Sequence, residues 1–249
     1  MDTPMSAESV TISGHGGDEI EAYFARPTSP GPHPGVVVIH HMPGYDRATK
    51  EIVRTFAVYG YAALCPNLFH RYAPGARSPD AAAAAREAGG VPDEQCIGDT
   101  KGAADFLRAR PDSNGRVGVI GYCSGGRQAY VVACSLDFDA AIDCYGGRVV
   151  AAPEDLTPLR PVAPIDRTPG LTCPLLGLFG AQDTNPSPEQ TAQMEAALRE
   201  HGKAYEFHTF ENAGHAFFSV DRPNYNLEAS KDGWKLIWDF FGRYLKPAP

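Results

Sequence analysis

The sequence predicts an α/β fold with a mostly parallel central sheet and helices on both faces. Three observations predict it. Short apolar runs alternate with helix-compatible segments through most of the chain, the pattern of parallel strands joined by crossover helices. The run Val36-Val37-Val38-Ile39 is apolar at every position, as a strand buried on both faces must be. Finally, Arg116–Gly126 reads RVGVIGYCSGG: an apolar strand, a tight turn flanked by small residues, then a helix-compatible stretch.

Taken in order, Ser9–Ser13 and Ile20–Arg26 read as two short strands joined at Gly14, His15, Gly16 and Gly17, an antiparallel start. A Pro/Gly/Ser linker, 27–34, leads into the strand Gly35–His41. Arg47–Tyr59 is an amphipathic helix with Ile52, Phe56 and Ala57 on one side. Tyr61–Leu68 is the next strand. Tyr72–Pro92 is rich in Ala, Gly and Pro and is expected to be a loop covering the top of the sheet. Asp93–Arg108 is helical, and Ser113-Asn114-Gly115 turns the chain into the strand Val117–Ile120, followed by the helix Arg127–Cys134. Ala140–Cys144 is a further apolar strand, closed by Tyr145-Gly146-Gly147. Five prolines make Arg148–Thr172 a long irregular excursion, a feature often functional in compact domains. Leu175–Phe179 is a strand, Ser187–His201 a helix with Met194 and Leu198 on its apolar face, Tyr205–Phe210 a strand. The helix Leu227–Leu245 carries Trp234, Ile237, Trp238 and Phe241.

The bulk properties narrow the classes. At 249 residues, 43% hydrophobic and 21% charged, the chain fits one α/β domain spanning 1–249. A net charge of -8 argues against nucleic-acid or anionic-membrane partners. No apolar run approaches the roughly 20 residues a membrane helix needs. The start MDTPMSAESV lacks the apolar core of a signal peptide. Six cysteines, at 65, 96, 123, 134, 144 and 173, show no C-x-x-C spacing and several lie inside apolar strands. A reduced, cytoplasmic setting is expected, with neither a disulfide framework nor a zinc site.

The chemistry centres on the turn spelled G-x-C-x-G. A nucleophile on such an elbow stands free at the end of the sheet, and the start of the following helix favours a thiolate over a thiol. Asp183 follows a later strand and His215 the last one. The order Cys123, Asp183, His215 is the nucleophile–acid–histidine order of the α/β-hydrolase fold, in which ligands bind beyond the carboxyl ends of the strands. His215 would serve as proton carrier and Asp183 would fix its tautomer. The backbone N–H of Ser124, and that of Met42 in the loop after the 36–39 strand, would form an oxyanion hole. The plainer alternatives are a buried cysteine in a Gly-rich turn, an aspartate capping the next helix and a turn histidine. The three together, in order, favour catalysis. His40, His41 and His215 with one carboxylate lack metal-ligand spacing, so no metal and no cofactor are expected. Tyr122 and Phe217 sit near the same rim as candidate walls of an apolar acyl pocket.

These residues carry a resemblance. PGVVVIHHMPG, YGYAALCPNLFHRYAPG, SNGRVGVIGYCSGG, LFGAQDTNPSPEQ, and ENAGHAFF followed by DRPNYN resemble the dienelactone hydrolase (carboxymethylenebutenolidase) family over nearly the whole chain. The resemblance implies hydrolysis of a small-molecule ester or lactone through a cysteinyl acyl-enzyme. It maps the triad onto Cys123, Asp183 and His215, and implies a cytoplasmic, cofactor-free monomer or homodimer. Two positions depart from the family's best-known members. His41 stands where they carry a thiol-activating Glu, and Ser219 where they carry an Arg that binds a substrate carboxylate. Arg222, and Arg71, Arg77 and Arg86 in or beside the covering loop, are the cations that could replace that Arg. A family member that only binds a ligand in the same pocket, or that uses Cys123 as a redox sensor, is the alternative reading.

Overall fold

The computed structural model describes residues 4–246. The chain divides into two compact units, Met1–Val119 and Ile120–Pro249. The strands follow the order β1-β2-β4-β3-β5-β6-β7-β8 in an eight-stranded sheet, with β5 (Ser113–Tyr122) as the strand in which the division falls.

In the first unit β1 (Met5–Ser13) and β2 (Glu19–Pro27) form an antiparallel hairpin, in register from Met5 opposite Pro27 to Ser13 opposite Glu19. The first strand is four residues longer than its pattern suggests. It is largely exposed, so backbone pairing defines it without the apolar alternation a half-buried strand displays. β3 (His33–Ile39) pairs in parallel with β4 (Ala62–Pro66), and β4 pairs antiparallel with β2. Every residue of β3 is buried, which is why its core, Val36–Ile39, is apolar at every position. It begins two residues early, where the His33 N–H donates to Asp112 O at 2.7 Å, and ends before His40 and His41.

α1 (Arg47–Val58) packs on β2 and β4 through Val53, Phe56 and Ala57, with Ile52 only half-buried. Its first turn is capped by Asp46, whose Oδ1 accepts from the Thr49 N–H at 2.9 Å, satisfying one of the orphan donors of a helix start. The expected covering loop is partly helical: α2 (Ser78–Glu87) has a proline in its first turn and buries Ala81, Ala82 and Ala85. Proline tolerates that position and alanine has the highest helix propensity, so the composition that suggests a loop is also that of a short helix. α3 (Asp93–Arg108) packs on β3 and β4.

In the second unit α4 (Ser124–Ala133) follows β5 immediately and packs on β6 (Ala140–Cys144). β6, β7 (Leu175–Gly180) and β8 (Tyr205–Phe210) run parallel, with Asp143 opposite Gly177 and Leu178 opposite His208. The excursion at 148–172 is irregular as expected, with short 3-10 turns at Pro153–Asp155 and Pro164–Gly170. It is anchored: the fully buried Thr168 hydroxyl pairs with the Tyr130 hydroxyl of α4 at 2.6 Å. α5 (Pro188–Glu200) starts in a capping box built by Ser187 and Gln190. α6 (Leu227–Leu245) packs Ile237, Phe240 and Phe241 inward.

Candidate active site

The elbow is built from backbone constraints. Cys123 has φ 57 and ψ -120, a conformation that costs a side-chain-bearing residue about 1–3 kcal/mol. Its N–H donates to Cys144 O at 3.0 Å, and its carbonyl accepts from the Gly126 N–H at 2.9 Å. The turn closes so tightly that a Cβ on Gly121 would run into the Gly125 carbonyl. The strain is held by the strand on one side and the helix on the other, and it presents the thiol, half-exposed, at the strand end. The other five cysteines are buried. Burial raises the thiols of Cys134 and Cys173 to about 12, so those sulfurs stay protonated.

Two further strand ends meet the thiol. His215 Nε2 lies 3.0 Å from the Cys123 Sγ, and His215 Nδ1 lies 2.8 Å from Asp183 Oδ2. Asp183, 5% exposed, receives the Asn185 N–H on its other oxygen at 2.9 Å. Burial works against a charged imidazole here. The hydrogen bonds to Asp183 and Cys123 outweigh it and raise His215 to about 10. An imidazolium flanked by two acceptors is the arrangement that stabilises a thiolate.

The loops bearing the acid and the histidine are tied together. The Gln182 N–H donates to Ala213 O at 2.9 Å, and Asn224 Nδ2 donates to the His215 carbonyl at 3.2 Å. The Tyr145 ring, after β6, stands edge-on to His215 with centroids 5.2 Å apart. A polar cleft of about 450 Å³ borders Asp183 and His215, with Gln182, Thr184, Asn212 and Asn224 in its walls.

The remaining sequence candidates fall into different places. Ser124 is the first residue of α4, where a backbone N–H has no intrahelical acceptor. Phe217 is fully buried and packs on Tyr145, Phe210 and Phe218. Tyr122 is 3% exposed, and its hydroxyl has no hydrogen-bond partner among the described residues. Ser219 is half-exposed in the turn after His215, its N–H donating to Ala216 O at 2.9 Å. Arg222 is exposed, its backbone N–H closing a turn onto Ser219 O.

In the first unit, Met42 lies in the loop after β3. His40 is buried and held neutral, burial lowering it to about 4. Its Nδ1–H donates to His41 O at 3.0 Å, and its Nε2 accepts the Leu68 N–H at 3.2 Å. Both ring nitrogens are thus spent on backbone. His41 Nε2 lies 2.9 Å from Asp46 Oδ2. Burial opposes the Asp46 charge, but the bonds from His41 and Thr49 lower its carboxyl to about 2. Arg71 is committed elsewhere: its fork bonds the fully buried Asp99 at 2.8 and 3.0 Å, and its Nε bonds Asp18 at 2.7 Å. Arg77 pairs with Asp80, and Arg86 is exposed in the last turn of α2. Sequence reading passed over Asp143, a lone carboxyl inside the apolar strand AAIDC; its isolation there was the available signal.

A mostly parallel sheet with Cys123 on a strand–turn–helix elbow, and with Asp183 and His215 after later strands, His215 within hydrogen-bond reach of both Cys123 and Asp183, is the architecture of an α/β-hydrolase. Within that class the chain belongs to the dienelactone hydrolase family, whose model matches residues 20–245. It is 33% identical over 227 residues to a candidate carboxymethylenebutenolidase of Methylorubrum extorquens, covering 90% of this chain and 77% of that one. It is 29% identical over 232 residues to the carboxymethylenebutenolidase of Pseudomonas putida, covering 91% and 92%. Among solved structures, a candidate dienelactone hydrolase from Klebsiella pneumoniae superposes with a TM-score of 0.88 at 29% identity, over 97% of this chain and all (100%) of that one. The protein is a hydrolase of the ester and lactone type. No helix among the described residues is long and apolar enough to cross a membrane.

Proposed function

We propose that this hydrolase works through Cys123 as nucleophile, His215 as proton carrier and Asp183 as orienting carboxylate, passing through a cysteinyl acyl-enzyme. One observation carries the reading: the unbroken series Sγ···Nε2 at 3.0 Å and Nδ1···Oδ2 at 2.8 Å. The thiolate attacks the ester or lactone carbonyl, and the Ser124 N–H receives the developing oxyanion. The sequence assigns the second such donor to Met42. As the tetrahedral intermediate collapses, the His215 imidazolium gives its Nε2 proton to the leaving alkoxide. Neutral His215 then takes a proton from water as the hydroxide attacks the thioester; collapse releases the carboxylic acid and expels the Cys123 thiolate, restoring its pair with the His215 imidazolium.

The acyl group is inferred to be uncharged on its distal side. Ser219 holds the position that binds a carboxylate in the family's best-known members, and its hydroxyl carries no positive charge to pair with one. The test compares a p-nitrophenyl ester, a neutral lactone and a dienelactone bearing a carboxylate, with wild type and Cys123→Ala. The variant is expected to lose roughly 10⁴-fold or more in kcat, the scale of nucleophile removal. Wild type is expected to favour the neutral substrates. Equal turnover by the variant would exclude the cysteine mechanism.

A further inference from the structure

Asp143 lies directly beneath the elbow and has no part in the mechanism above. It is fully buried in β6 (0% exposed), one residue before Cys144, whose carbonyl receives the Cys123 N–H. Its Oδ1 accepts the Gly146 N–H at 2.8 Å. Its Oδ2 is buried with no hydrogen-bond partner among the described residues. The first turn of α4 and the turn after β6 pack backbone to backbone around it: a Cβ on Gly126 or on Gly146 would collide with this carboxyl. Just before Gly146 stands Tyr145, at φ 43, whose N–H donates to Leu178 O at 2.9 Å and whose ring stands against His215.

We propose that Asp143 is a positioning residue that acts as a neutral carboxylic acid, pegging the elbow to the β6 turn and holding Tyr145 against His215. The inference rests on the cysteine-hydrolase reading for its catalytic consequence, and on the packing alone for its structural one. A carboxylate needs several donors to be tolerated in an apolar interior, and this one has a single N–H. Burial accordingly pushes its carboxyl up to about 7, against the Gly146 hydrogen bond. No cation offsets it in its own strand or in β7, which faces it with Gly177. α6 packs on β6 with Ile237, Phe240 and Phe241, none titratable. α4 brings Arg127 and Tyr130, β5 brings Tyr122, the elbow brings Cys123, and Cys144 and Tyr145 follow Asp143 in sequence. Of these, Tyr130 and Cys144 are both pushed upward by the Asp143 charge, although burial dominates each.

The experiment compares wild type, Asp143→Asn and Asp143→Val by two readouts. One is the rate at which iodoacetamide alkylates Cys123, which needs no turnover. The other is kcat and KM on a p-nitrophenyl ester. Asn reproduces the neutral acid in shape and keeps the acceptor for Gly146. Val keeps neither. The valine variant is expected to slow alkylation and kcat roughly 10- to 100-fold with little change in KM, the scale of a misplaced catalytic group. The asparagine variant should stay within about threefold of wild type, and should abolish the wild-type change in alkylation rate through about pH 7. An asparagine variant as impaired as valine, or a valine variant as reactive as wild type, would overturn the proposal. If the valine variant does not fold, the asparagine profile decides alone: an unchanged inflection overturns the idea and its loss supports it. Alkylation responding as expected in a protein that hydrolyses none of the esters would fault the catalytic reading and leave the positioning role standing.

Discussion

His215 is the residue on which the charge of the site turns. Burial disfavours its imidazolium, yet Asp183 and Cys123 together raise it to about 10. Both partners favour the charged histidine. Asp183→Asn removes one of them. Its expected effect is a His215 titration moved down from about 10 toward the ordinary histidine value near 6.5, read from the imidazole proton resonances. With it, the alkaline limb of the pH–kcat/KM profile moves to lower pH, and kcat falls by roughly 10³–10⁴. A His215 titration unmoved by the substitution would mean that the cysteine alone sets the charge. The contrast with His40 is instructive. It too is a histidine at a strand end, but both its nitrogens are taken by backbone groups and burial lowers it to about 4. Sequence separated the two only by chain order, His215 coming after Cys123 and Asp183. What distinguishes them is the partner of each ring nitrogen.

At the scale of elements, the elbow is the most legible part of the chain. Gly121 and Gly126 stand on either side of Cys123 because a Cβ at either would collide with its surroundings, and that need is written directly in the residue types. Gly121→Ala is expected to break the elbow, since its methyl would enter the Gly125 carbonyl and the obstruction is backbone, not a mobile side chain. The measurement is soluble yield, melting temperature and Cys123 alkylation. A soluble variant alkylated at the wild-type rate would show that the turn can relax. The strands β3, β6 and β7 were legible for a related reason: full burial demands unbroken apolar runs. Elements without that demand escaped. β1 extends four residues beyond its pattern because an exposed strand needs pairing, not apolarity. α2 was hidden in Ala/Pro composition that fits a loop as well as a helix. The fate of the loop arginines was equally unreadable, because the pairing of Arg71 with Asp99, 28 residues later, is a long-range contact.

For the molecule as a whole, the buried carboxyl of Asp143 links folding to pH. Its unfolded value is that of an ordinary aspartate, near 3.8, and its folded value is about 7. A group whose folded value is raised binds its proton more tightly in the folded state. Its contribution to stability is full below about pH 4 and is lost progressively as pH rises through 7. Between those limits the folded state holds one proton more than the unfolded state, so unfolding releases a proton and stability falls with rising pH. The span of about three pH units corresponds to roughly 4 kcal/mol. Asp143→Asn removes this dependence while keeping the bond to Gly146. The variant is therefore expected to gain on wild type steadily from pH 4 to 7 in denaturant midpoint, and to hold a constant advantage above pH 7. Asp46 acts in the opposite direction: lowered to about 2, it stabilises the fold above the ordinary carboxylate range and withdraws that support on acidification. Those effects are common to both proteins and cancel in the difference. Parallel pH–stability curves for wild type and Asp143→Asn would show that Asp143 is ionised in the folded protein, and would remove the physical basis for its neutral role at the elbow.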